Sequence, residues 1–280
     1  MLGKLIKYEF KVTARIFALT YAVVVALAVL NAGMLALRFD RNSPFGVVYG
    51  GASTVMTVLY LIAAFAAVLL TFVIIVVRFY RMLGDEGYLW FTLPVRPGQQ
   101  IIGKLIPAIV WTIVTAVVTL ASVTLVMLHW GFADRLSNIW HGLAAVGFNP
   151  GAWLAGGLIF ILTSLIVNVM VFYAAMATGA NLIRSSRLGG SVVAYLIFYV
   201  ALELVNLLVF LSMFALFSDV VQAIPPTHGS VLPDLTATNV AAINRAGVVF
   251  GSCFGVEYVL VAVACFFITR HFIGRKLNLG

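Results

Sequence analysis

Charge is the scarcest chemistry in this chain. Only 9% of its 280 residues are Asp, Glu, Lys or Arg, whereas a water-soluble domain carries roughly a quarter. With 63% apolar residues and a mean hydropathy of +1.12, a water-soluble fold is excluded and an integral membrane protein is implied. Cysteine is nearly absent: Cys253 and Cys265 alone are present, about 18 Å apart along a helix, too far to bridge to each other. The HExxH and GxSxG signatures are missing. His129 and His141 lack acidic or Cys partners at ligand spacing, a poor metal signature. No catalytic residue, cofactor ligand or metal ligand is therefore assigned to this chain, and it is not read as an enzyme.

What the chain has is apolar runs. A helix needs about 20 apolar residues to cross the hydrocarbon core. Six segments qualify: Ile16 to Leu37, Gly51 to Val77, Leu105 to Leu128, Trp153 to Ile183, Gly190 to Phe217 and Gly247 to Thr269. The expected fold is all-α, a polytopic membrane protein whose six transmembrane helices form a single transmembrane domain over residues 1–280. With the N-terminus inside, the inner segments hold Lys4, Lys7, Lys11, Arg15, Arg78, Arg81, Arg96, Lys104, Arg184, Arg187, Arg270, Arg275 and Lys276. The outer segments hold only Arg38, Arg41, Arg135 and Arg245. This bias puts both termini in the cytoplasm. The net charge of +8 is then membrane topology and argues nothing about nucleic acid.

One stretch between spans two and three breaks the pattern. Arg78 to Lys104 reads RFYRMLGDEGYLWFTLPVRPGQQIIGK, and the apolar runs on either side, Gly51 to Val77 and Leu105 to Leu128, carry no charge. Asp85 and Glu86 suit a helix N-terminus and Pro94 ends what they start, so a short helix is expected from about Asp85 to Thr92. Pro97 fits the first turn of a second element running into the next span. Tyr88, Leu89, Trp90, Phe91 and Leu93 must bury themselves on something. Two readings fit: an interfacial helix lying in the lipid headgroups, or a docking face for a soluble partner. The acidic pair favours the protein partner, because a helix made for anionic lipid would carry Lys or Arg there.

Elsewhere, Met1 to Arg15 alternates basic residues with Leu2, Leu5, Ile6 and Phe10, an amphipathic spacing expected to lie along the inner leaflet before the first span turns inward. Too long an apolar run follows for a signal peptide. Arg38 to Gly50 has turn chemistry, and Pro107 is expected to kink the third span or mark where an interfacial helix bends into the membrane. Trp130 and Trp140, in the loop His129 to Pro150, mark the outer interface. The last outer loop, Ser218 to Ala246, is rich in Pro and expected to be irregular, with a short amphipathic surface helix possible over Leu235 to Ile243.

Gly247, Gly251 and Gly255 recur every four residues on one face of the last span, a helix-packing signal. Glu203 and Glu257 fall near the middle of the fifth and sixth spans. A charge there costs at least about 2.5 kcal/mol by insertion scales, so such groups face a cavity or a partner. Asn206 shares a helix face with Glu203, and Asn168 in the fourth span offers another amide. These four are candidate substrate-pathway residues; a protonated carboxyl bonded to a neighbouring helix is the structural alternative. Gly98 to Lys104, GQQIIGK, matches the glycines and lysine of a phosphate-binding loop, but Leu105 sits where Ser or Thr is required and no strand precedes it. It is rejected as a nucleotide site.

Six spans, a basic amphipathic N-terminal helix and the loop LGDEGYLWFTLPV followed by a Lys-bearing helix resemble the membrane subunits of ATP-binding-cassette exporters of the type-2 permease class. The general plan covers the whole chain; the specific resemblance is confined to about Arg78 to Leu105. It implies a coupling helix that docks into a separate cytoplasmic ATPase through Asp85, Glu86, Tyr88, Leu89, Trp90, Phe91 and Leu93. It also implies a second permease, identical or related, across a central pathway in a bacterial cytoplasmic membrane. ATP and Mg would be held by the partner ATPase. The family's re-entrant hairpin before the last span has no clear counterpart in the polar, Pro-rich Ser218 to Ala246. The alternatives are a secondary transporter using Glu203 and Glu257 for a proton or cation, and a membrane enzyme or assembly factor, for which His129, His141, Asp134 and Arg135 are the only interfacial cluster.

Overall fold

The structure, a computed structural model, describes residues 2–37, 44–83, 97–128, 131–182, 187–218 and 237–275. Among these residues all regular structure is helical: α1 (Leu2–Ala36), α2 (Pro44–Leu83), α3 (Pro97–Leu128), α4 (Phe132–Ala145), α5 (Pro150–Leu182), α6 (Arg187–Leu216) and α7 (Ala237–Arg275). All except α4 are long and apolar enough to cross a membrane, and the chain is a multi-pass membrane protein of six such helices.

The helices overrun the apolar segments. A helix already formed across the hydrocarbon core extends into flanking polar sequence one hydrogen bond at a time, with no second nucleation cost. Proline opens α2, α3 and α5, at the first helical position where its missing N–H costs nothing. Three expectations change accordingly. The N-terminal segment is not a separate interfacial helix, because α1 is one unbroken helix of 35 residues that packs sidelong on α3. The polar loop after the third span holds helix α4, whose residues are all outside the core. Instead of a separate surface helix, residues from Ala237 onward are the first turns of α7. α3 runs through Pro107 without interruption.

Two compact units divide the chain, Met1–Arg135 and Leu136–Asn278. In the N-terminal unit, hydrogen bonds fix an up-down-up arrangement. Asn31 Oδ1 accepts from Thr57 at 3.0 Å between α1 and α2, and Tyr60 and Ser122 bond at 2.8 Å between α2 and α3. Tyr21 joins Thr115 at 2.8 Å, and Thr115 joins Thr71 at 2.9 Å, linking all three helices. Such bonds hold helices together where lipid removes the hydrophobic drive for association. Val24, Ala28, Tyr60, Ala64 and Ala67 form the apolar core between them.

α5 is the centre of the C-terminal unit. Val167 and the run Val169 to Ala177, apart from Phe172, are buried, and the alanines admit close neighbours. A Cβ on Gly179 would collide with the backbone of Gly190 and Ser191, while Phe172 stacks on Tyr195 at 4.3 Å; α5 and α6 are thus antiparallel. Trp153 Nε1 donates to Asn244 Oδ1 at 2.8 Å, and Phe160 lies 5.4 Å from Tyr258. α5 and α7 therefore run parallel.

Candidate functional site

A buried carboxylate organises one end of the N-terminal unit. Glu9, on α1, has a side chain only 3% exposed. Its Oε2 pairs with Arg78 Nη2 of α2 at 2.5 Å, and its Oε1 accepts from Lys104 Nζ of α3 at 3.1 Å. Lys104 Nζ also donates to the Arg78 carbonyl at 3.3 Å. Taking three charges out of water is costly, and the arrangement holds because both carboxylate oxygens are used and the cations share one anion. Among the described residues one carboxylate faces two cations. Arg78 is the member nearest to water, with its side chain 25% exposed.

An aromatic and hydroxyl relay continues from this cluster into the bundle. Thr13 Oγ1 donates to the Glu9 carbonyl at 2.8 Å and accepts from Trp111 Nε1 at 2.9 Å. The Trp111 ring stacks on Phe17 at 4.4 Å with an interplanar angle of 16°. Phe10 and Tyr21 flank it at 5.8 and 6.3 Å. Close packing on the same face brings Leu5 to where a Cβ on Gly103 would be. The first turns of α1 are thus fastened to α3 by charge, hydrogen bonding and ring contact together.

Arg78 and Lys104 bracket the unusual loop. The expected docking residues Asp85, Glu86, Tyr88, Leu89, Trp90, Phe91 and Leu93 lie outside the described residues. The base of their loop is described: α2 ends at Leu83, α3 begins at Pro97, and Glu9 joins the two. Gly98 to Lys104 is helical, with its lysine engaged by Glu9 rather than open to a phosphate.

The mid-span candidates lie in the C-terminal unit. Glu257 is 8% exposed and neither carboxyl oxygen has a hydrogen-bond partner. Asn206 Oδ1 is likewise buried without a partner. Glu203 is on the exposed side of α6. Asn168 is exposed, and its amide donates to Ser164 of its own helix at 2.8 Å. Of the three glycines, Gly247 lies against the Trp153 ring, whereas no side chain or neighbouring backbone comes within 4 Å of a Cβ on Gly251 or Gly255. On α4, Asp134, Arg135 and His141 are exposed; His129 lies outside the described residues.

Glu9 escaped the sequence reading because a lone acid among Lys4, Lys7, Lys11 and Arg15 resembles part of a solvated basic face. A signal was present. Glu9, Thr13, Phe17, Val24, Ala28 and Asn31 are the buried residues of α1 and keep a helical spacing. Extending the span's buried stripe toward the N-terminus leads to Glu9. No known family model, curated protein or solved structure matches this chain.

Proposed function

We propose that the chain is the permease subunit of an ATP-binding-cassette exporter of the type-2 class. It would be embedded in a bacterial cytoplasmic membrane with both termini and residues 84–96 on the cytoplasmic side. The supporting observation is the Glu9 cluster: a single buried carboxylate joins the helices on both sides of an aromatic, acidic loop and ties them to α1. Displacement of the helix ends that carry this loop is passed to all three helices joined by Glu9. In this reading, Tyr88, Leu89, Trp90, Phe91 and Leu93 dock into a separate ATPase, with Asp85 and Glu86 at the start of the docking helix. ATP-driven closure of two ATPases draws the loops of two permeases together. The Glu9 cluster passes that displacement to α1, α2 and α3 as a body, and the opening between permeases changes sides.

A mild-detergent pull-down of the tagged protein from its native membrane, read by mass spectrometry, tests this. A stoichiometric soluble ATPase that is lost in a Leu89→Ala, Trp90→Ala variant is expected. An intact sample with no such partner overturns it. A second reading, a secondary transporter coupled to a proton or cation, is favoured by the partnerless Glu257 carboxyl. It predicts transport without any ATPase.

A further inference from the structure

We propose that the C-terminal unit holds, at the level of Glu257, a binding site for a lipophilic organic cation. As a statement about cargo, this rests on the permease reading. Among the described residues of this unit, three buried side-chain atoms lack a hydrogen-bond partner: Glu257 Oε1, Glu257 Oε2 and Asn206 Oδ1. With the carboxyl ionised all three are acceptors, and the partner they lack is a donor or a cation.

Helix register brings them to one level. Phe250 of α7 lies 6.5 Å from Phe210 and 5.9 Å from Phe217 of α6, so it stands at a level between them, and the antiparallel course carries Asn206 to about the level of Glu257. Glu203 lies about one turn further along. No Lys or Arg belongs to the apolar part of these spans, so the charge is unanswered from within.

The surroundings define the kind of cation. Phe254 and Tyr258 flank Glu257 in sequence, and Phe160 of α5 lies 6.4 and 5.4 Å from their rings. Carboxyl oxygens beside aromatic rings suit an ammonium or phosphonium group with apolar substituents. A bare alkali ion needs a shell of oxygens, which transporters supply from unwound helix backbone. Here α5, α6 and α7 are continuous through this level, and their carbonyls are engaged within the helices.

Binding of radiolabelled tetraphenylphosphonium to the purified full chain in detergent tests the proposal without any ATPase. Loss of the permease reading and loss of this site are therefore told apart. Saturable binding is expected, about tenfold or more weaker in Glu257→Gln, the loss of one charge-assisted contact. Neutral triphenylphosphine oxide should not compete. Should Glu257→Gln misfold, the wild-type chain still decides: dicyclohexylcarbodiimide should label Glu257, and tetraphenylphosphonium should protect it. Absence of saturable binding, binding unchanged in a folded Glu257→Gln variant, or sodium rather than tetraphenylphosphonium protecting Glu257 would overturn it.

Discussion

Lys104 Nζ lies 3.1 Å from Glu9 Oε1, across 95 residues of sequence. That contact makes the first turns of α1 part of the scaffold under the loop between α2 and α3. Neither residue is accessible to bulk water, with side chains 6% and 3% exposed. Removing Glu9 therefore takes away the carboxylate that faces two cations, which is the costly half of a buried ion pair, whereas removing Lys104 leaves Glu9 paired with Arg78.

Glu9→Gln should destabilise the N-terminal unit by about 3–5 kcal/mol, because two cations are left facing each other. Adding Lys104→Met should recover part of the loss, since Arg78 is 25% exposed and can be hydrated alone. Thermal unfolding of the purified variants in detergent reads both effects. Equal stability of wild type and Glu9→Gln would mean that the three charges are independent.

Trp111 anchors the same region by a different physics. Thr13→Val should cost only about 0.6 kcal/mol for each hydrogen bond lost, the average between membrane helices. Trp111→Ala removes the ring that stacks on Phe17 and should cost about 3–5 kcal/mol. The two melting temperatures, measured side by side, separate packing from hydrogen bonding as the main fastening of α1 to α3.

Gly179 and Gly251 should behave oppositely. A methyl group at Gly179 meets the Gly190 carbonyl and the Ser191 backbone, so Gly179→Ala should cost about 1–3 kcal/mol through overpacking. A methyl at Gly251 meets nothing within 4 Å among the described residues, so Gly251→Ala should leave the melting temperature of the isolated chain unchanged. A change in assembly size with Gly251→Leu, at unchanged stability of the chain, would assign that face to a second subunit.

The six spans were legible because each depends on one continuous local property, a run of apolar residues. Their ends were not: Pro44 and Ala237 stand in polar sequence, yet the helices begin there because lengthening a helix already formed across the core needs no new nucleus. Glu257 was legible as an isolated acid inside a span. Glu9 was not, since its meaning depends on Arg78 and Lys104, which no local pattern connects to it. Trp111 was hidden inside a long apolar run; its importance lies in the ring contacts and in the single N–H directed at Thr13.

The most direct test of the coupling account is a photo-crosslinking experiment in the native membrane, with a benzophenone side chain placed at Trp90 and, as a control, at His141 on the exposed surface of α4. The account predicts a single crosslinked product at Trp90 containing a soluble ATP-hydrolysing subunit, and no such product at His141. Crosslinks from Trp90 to lipid alone would contradict it and make residues 84–96 an interfacial segment of a transporter that works without ATP.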